Sequence, residues 1–225
     1  MALGEIVALQ STTPEHRNIV YDADRAAQIA TQAPAMQALE PLRSVGTAFN
    51  WWGGDGVVYA TVLIWLTGRI MRWTRTSLVG LRGLEGLLVA SGFSSLMKGM
   101  CGRARPYFTP GEPWHWELAR TFTDSRYFSM PSGHTTATFG FAIAVTLAVR
   151  PWPRAVRVPV SIAACASAVL VAFARVYTNQ HWLSDVIVGA ALGSAAAVFV
   201  MRLHGRAPNS RFDQLLLGGL GSARS

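Results

Sequence analysis

Five apolar stretches, at 56–71, 84–97, 135–149, 158–174 and 186–203, constrain this chain more than any other feature. With its flanking residues, each approaches the length of about 20 residues that crosses a bilayer as a helix. Apolar residues make up 51% of the 225 positions and charged residues only 14%, a balance unusual for a soluble domain. The expected fold is therefore all-α: a multi-span transmembrane helix bundle of about five spans, or six if a helix of the N-terminal tail also inserts. A soluble helical protein with buried core helices is the competing reading, and the number and length of the stretches argue against it. Asp55 and Trp51 crowd the start of the first stretch, while Arg82 and Glu85 sit in the opening turns of the second. Three positions apart, Arg82 and Glu85 share a helix face and can pair.

Around the stretches the chain divides into an N-terminal tail over 1–50 with short surface helices, a transmembrane domain over 51–205, and a flexible C-terminal tail over 206–225. The last residues, 217–225, are rich in Gly and Ser. The first ten residues contain Glu5 and lack a basic start and a continuous apolar run, so a secretory signal is not expected there. Cys101 falls at a span end and Cys165 in mid-span, an arrangement that does not favour a bridge between them.

The formal net charge is +8, and a basic stripe of that size would suit a nucleic acid if it were gathered on one face. Its placement indicates topology instead. Arg69, Arg72 and Arg75 lie from the end of the first stretch to the start of the second, Arg150, Arg154 and Arg157 between the third and fourth, and Arg202, Arg206 and Arg211 from the end of the fifth onward. All three segments fall on one side of the membrane, which the positive-inside bias makes the cytoplasmic side. The N-terminal tail, the long loop 99–130 and the short loop after Ala174 then lie outside. No nucleic-acid partner is expected; the bilayer is.

A second set of cations, Lys98, Arg103, Arg105 and Arg175, stands at the outer span ends, where topology does not call for them. Snorkelling accounts for a single such residue but poorly for four beside histidines. Lys98 is the one lysine in a chain that otherwise uses arginine, which suggests a position needing a compact ammonium. On the same side, Pro131, Ser132, Gly133 and His134 immediately precede the third stretch. The first turn of a helix there presents unpaired N–H groups and a positive dipole end, with Ser132 as a hydroxyl donor and Gly133 allowing close approach of an anion. A plain helix start would use the same residues. His181 and Asp185, four apart at the start of the fifth stretch, share a helix face. The carboxylate can hold one imidazole nitrogen and leave the other as a nucleophile.

Together these residues resemble the type 2 phosphatidic acid phosphatase superfamily, which also includes soluble bacterial acid phosphatases and vanadium haloperoxidases. Its three blocks are K-x6-R-P, matched from Lys98 to Arg105 and Pro106; P-S-G-H, matched from Pro131 to His134; and S-R-x5-H-x3-D, matched at Arg175, His181 and Asp185. Only the leading serine of the third block is missing, since Ala174 occupies it. The resemblance implies His181 as the nucleophile forming a phosphohistidine, Asp185 as its orienting group and His134 as the general acid. It further implies Lys98, Arg105, Ser132, Gly133 and Arg175 as the phosphate-binding set, with no metal and no cofactor. Members of the membrane branch usually have six spans and an extracytoplasmic site at the bilayer surface, and a bacterial inner membrane is the location expected here.

The outer loop holds Tyr107, Phe108, Trp114, Trp116, Phe122, Tyr127 and Phe128, a set suited either to anchoring in the headgroup zone or to covering the pocket. His16, His115 and His204 are not expected to take part in chemistry. A site at the bilayer surface favours a lipid phosphate: phosphatidate, phosphatidylglycerol phosphate or a polyprenyl diphosphate. A phosphotransferase would use the same residues with an alcohol in place of water, and a non-catalytic phospholipid-binding membrane protein would need the cations but not the histidines.

Overall fold

The computed structural model describes residues 18–206 apart from residue 119. The first ten residues, His16, Arg211 and all but the first position of the 206–225 tail lie outside the described residues. Within them the chain is helical, with no strand: α1 (Ile19–Gln32), α2 (Pro34–Gln37), α3 (Glu40–Trp51), α4 (Val57–Ile70), α5 (Thr74–Cys101), α6 (Gly133–Ala148), α7 (Arg154–Tyr177) and α8 (Leu183–Arg206). A π-helical turn, Trp52–Gly56, joins α3 to α4. The run 40–70 is thus continuously helical and roughly 45 Å long, so the tail boundary expected at residue 50 falls inside it.

The five apolar stretches correspond to α4 through α8. α5 and α7 continue beyond the apolar residues into Arg75 and Arg154, since arginine is a good helix former wherever its head reaches water. Two of the helices, α7 and the Leu183–Gly205 part of α8, are long and apolar enough by themselves to cross a bilayer. α6 has only 16 residues, and α5 carries Arg82, Glu85 and Lys98.

α6 is the central helix and packs against α5, α7 and α8. Its neighbours approach closely because glycines face each other: a Cβ on either Gly86 of α5 or Gly140 of α6 would lie 2.7 Å from the other's carbonyl oxygen. Small residues at helix crossings let backbones touch and gain dispersion energy where larger side chains would hold them apart. Val57, Val79, Leu87, Phe141, Val145, Val149 and Ala168 fill the apolar core around this crossing.

Up-and-down connection sends the α4–α5 turn, the α6–α7 turn and the end of α8 to one end of the bundle. Arg82 and Glu85 pair there, as expected, at 2.9 Å, and His204 of α8 joins them, 2.8 Å from both Arg82 Nη1 and Glu85 Oε2. The opposite end collects the end of α5, the start of α6 and the α7–α8 turn. Across it lies α1, started by Asn18, whose side-chain oxygen accepts from the Val20 and Tyr21 amides at 3.0 Å. α1 docks through polar residues: Asp24 and Gln28, four apart, are buried, whereas Ile19 and Ile29 are exposed. Gln28 donates to Pro106 O at 3.0 Å and accepts from the Gly111 amide at 2.8 Å, which ties α1 to the outer loop.

The Gly86–Gly140 crossing leaves no room for a methyl group. Gly140→Ala is expected to lower stability by about 1–3 kcal/mol through overpacking; thermal unfolding of the detergent-solubilised protein with an unchanged midpoint would contradict this.

Candidate active site

Lys98 lies in the last turn of α5, which ends at Gly102 in the left-handed region at φ +61°. A Cβ at Gly102 would collide with the Glu117 carbonyl, so glycine both ends the helix and lets the returning loop pack against it. The loop is stitched to residues 102–105 by backbone bonds: Glu117 N to Gly102 O at 2.8 Å, Ala104 N to His115 O at 2.9 Å, and Arg105 N to Arg126 O at 2.8 Å. These fix where Arg103 and Arg105 leave the backbone. Lys98 Nζ donates to Phe128 O at 2.9 Å and lies beside Gly133.

Gly133 opens α6 with Ser132 as its N-cap residue. The Ser132 hydroxyl makes no capping bond; it lies 3.0 Å from the Thr135 hydroxyl, while its amide donates to the Asp185 carbonyl at 3.1 Å. The first-turn amides of α6, Gly133 among them, have no acceptor within their own helix. His134, on the next position, has the π-helical turn as its wall: a Cβ on Gly54 would sit 3.2 Å from His134 Nε2.

Arg175 ends α7. A tight turn follows, with Asn179 at φ +57°, a conformation asparagine tolerates. It lets both the Gln180 and the His181 amides donate to Arg175 O, at 3.1 and 3.2 Å. His181 is thereby fixed just past α7 rather than on α8, and Asp185 lies in the first turn of α8. His181 Nδ1 and Asp185 Oδ2 stand 3.6 Å apart, within ion-pair range and beyond hydrogen-bond length. Both side chains are buried.

Charges from the three segments meet. His134 lies in the field of Arg175, Lys98 and Arg105, and His181 in that of Arg175, Asp185 and Lys98. Burial, with Arg175 and Lys98 adding to it against the pull of Asp185, pushes the His181 pKa down to about 3, so the imidazole is neutral at physiological pH. Arg175 Nη1 donates to Asn50 Oδ1 and Arg105 Nη1 to Gln180 Oε1, both at 2.7 Å. Their Nε atoms are buried without a partner, as is His181 Nδ1, so each guanidinium retains a donor for an anion. Among the described residues, no group of three or more His, Cys, Asp or Glu side chains is placed to hold a metal ion.

A model of the PAP2 superfamily matches residues 80–208, more than half of the sequence. The chain belongs to that superfamily. Its curated relatives include the undecaprenyl-diphosphatase of Sulfolobus acidocaldarius, 25% identical over 160 residues that span 70% of this chain and 72% of the relative. Another is the lipid A 1-phosphatase of Rhizobium johnstonii, 26% identical over 181 residues, 73% of this chain and 67% of that one. Among solved structures, the transmembrane PAP2-type phosphatidylglycerolphosphate phosphatase of Bacillus subtilis superposes with a TM-score of 0.58 at 24% identity, covering 92% of this chain and 94% of its own. LpxE of Aquifex aeolicus superposes with a TM-score of 0.52 at 18% identity, covering 85% and 99%. The relatives are thus lipid phosphatases of the PAP2 type, and the fold is that of its membrane members.

The structure brings all eight sequence-singled residues of this PAP2 chain to one end of the bundle. It sets Arg103 apart from the other outer cations. Arg103 is buried, with Nη1 2.6 Å from Asp185 Oδ1 and Nη2 2.7 Å from Asp24 Oδ2, its plane beside the rings of Trp116 and Trp182. Sequence reasoning missed Asp24, Asn50 and Ser129, outside the three blocks, and Gln180, in the variable spacer of the third. Asn50, Ser129 and Gln180 bond site residues directly and Asp24 acts through Arg103, with Ser129 Oγ donating to Asp185 Oδ2 at 2.5 Å. None of these carries a local signal, because each acts on a residue distant in sequence. The outer loop does more than anchor: Tyr127 is buried and donates to Glu117 at 2.6 Å, while Phe122 is exposed.

A buried neutral His181 also makes stability depend on pH. Its folded pKa, about 3, lies below the ordinary 6.5, so the unfolded chain binds a proton that the folded one refuses. That stability is complete above about 6.5 and is lost, at up to about 1.4 kcal/mol per unit, as pH falls toward 3. His181→Gln should flatten the fall of the thermal midpoint between about pH 6 and 4; an equal slope in both proteins would refute the assignment.

Proposed function

We propose that this chain is an integral-membrane phosphatase that hydrolyses a phosphomonoester or diphosphate of a lipid through a phosphohistidine, without a metal. The observation that carries this reading is the meeting of two imidazoles with Lys98, Arg105 and Arg175 at one end of the bundle. The substrate is a lipid whose phosphate sits at headgroup level, of the phosphatidate, phosphatidylglycerol phosphate or polyprenyl diphosphate kind. The names of the curated relatives, an undecaprenyl-diphosphatase and a lipid A 1-phosphatase, support that class.

In the proposed reaction the Nε2 lone pair of neutral His181 attacks phosphorus. An N–P bond forms, the P–O bond to the lipid breaks, and His134 delivers a proton to the leaving oxygen. Water then attacks the phosphohistidine, His134 takes its proton, and phosphate leaves. Lys98, Arg105, Arg175, the Ser132 hydroxyl and the Gly133 amide hold the equatorial oxygens, whose charge is greatest in the transition state. Asp185 orients His181 and offsets the positive charge that develops on it. Ala174, buried where a serine is usual, withdraws one donor and leaves the rest.

The five long helical runs span the bilayer in this reading. The arginine-rich end, with Arg69, Arg72, Arg150 and Arg154, faces the cytoplasm, and the phosphate site faces the other side. α1 lies in the interface, with Ile19 and Ile29 toward lipid and Asp24 and Gln28 toward protein.

Phosphate release in detergent micelles, measured across lipid monophosphates and diphosphates with chelator present, tests this. Wild-type turnover should survive the chelator. His181→Ala should abolish it, and His134→Ala should cut it by about 10²–10⁴-fold. Lipid binding retained without any turnover in the wild type would mark a binding protein instead, and dependence on a divalent ion would overturn the mechanism.

A further inference from the structure

Asp24 has no place in the three blocks, yet it is one of the most deeply buried charges in the molecule, at 1% exposure. Its Oδ1 accepts from the Ser184 amide at 2.7 Å, and its Oδ2 accepts from both the Ser184 hydroxyl and Arg103 Nη2, each at 2.7 Å. Arg103 is equally buried, and its Nη1 reaches Asp185 Oδ1 at 2.6 Å and Ser184 Oγ at 2.7 Å. Its Nε is held by Pro113 O at 2.9 Å. One guanidinium thus bridges two carboxylates, all three side chains buried. The second carboxylate is the group that faces His181.

This sharing has an electrostatic consequence. A buried Arg103–Asp185 pair on its own would be neutral and would present little field to the imidazole. With Asp24 on the far side of Arg103, the three charges sum to one negative, shared between Asp24 and Asp185, the latter beside the ring. A ring that becomes positive on forming its N–P bond needs that negative charge. Resting on the phosphohistidine reading above, we propose that Asp24, delivered by α1 from outside the family-matched region, is a positioning residue for the reaction: it occupies Arg103 so that the Asp185 charge remains available to His181. The same bonds pin the start of α8 through Ser184, which holds Asp185 in place.

A merely structural role for α1 makes a different forecast, because Gln28 docks the same helix with neutral bonds to Pro106 and Gly111. The test uses the full chain in detergent with a lipid monophosphate substrate. Asp24→Asn should lower kcat by roughly tenfold or more, the size of effect known for outer partners of metal-bound imidazoles, with KM changed by less than about twofold. Asp24→Glu restores the charge and should recover most of the lost kcat. Gln28→Ala should leave kcat near that of the wild type. An unchanged kcat in Asp24→Asn, or a loss in Gln28→Ala as large as in Asp24→Asn, overturns the proposal. If Asp24→Asn does not yield folded protein, Gln28→Ala and Asp24→Glu decide: a roughly tenfold kcat loss in either one rejects the role of charge. Turnover that survives in His181→Ala would reject the underlying mechanism instead, whatever Asp24 does.

Discussion

Backbone hydrogen bonding governs where chemistry can occur in this chain. Helices satisfy their own amides and carbonyls along their length and leave them open only at the ends, so a bundle of long apolar helices has its polar backbone at two surfaces. The candidate site is assembled from such ends: the last turn of α5, the first of α6, the last of α7 and the first of α8. The amides that open α6 offer donors to an anion, and the tight turn after Arg175 fixes His181 through two bonds to one carbonyl. A residue in the middle of a helix would have neither the open backbone nor access to the bundle surface.

Gathering four helix ends into one pocket requires the helices to pack closely, and glycine supplies this. The Gly86–Gly140 contact draws α5 and α6 together. Cation repulsion opposes the assembly, because Lys98, Arg105 and Arg175 share one region. Neutral acceptors moderate it: Phe128 O for Lys98, Gln180 for Arg105 and Asn50 for Arg175. Each occupies only part of its cation's donor capacity, so the cluster is held in place and still suited to an anion. Arg103 differs, with four of its five N–H donors bonded, to two carboxylates, a hydroxyl and a carbonyl.

Much of this was legible in advance. The apolar stretches gave the helices, because burial or lipid must take up so much apolar surface, and the arginine spacing gave their alternation. The Arg82–Glu85 pair followed from helical periodicity, but its partner His204 did not, being distant in sequence. Block spacing marked Lys98, Arg105, Ser132, Gly133, His134, Arg175, His181 and Asp185 as one group. It picked Arg105 and left Arg103, two positions away, without a role, because that role rests on which acceptors surround it. It could not join 40–70 into one helix: the tail boundary was expected at residue 50, whereas the π-helical turn Trp52–Gly56 carries the helix on, with Val171 of α7 and His134 packed against Gly53 and His134 against Gly54.

By itself, then, the sequence determined the elements, their up-and-down order and the residue types available for phosphate chemistry, all of which depend on local periodicity and composition. Tertiary structure alone decided which cation is structural, which neutral side chains hold the others, and that a carboxylate from α1 shares a guanidinium with Asp185. Those are pairings between segments far apart in the chain. Their energies depend on burial and distance, quantities that exist only once the helices have packed.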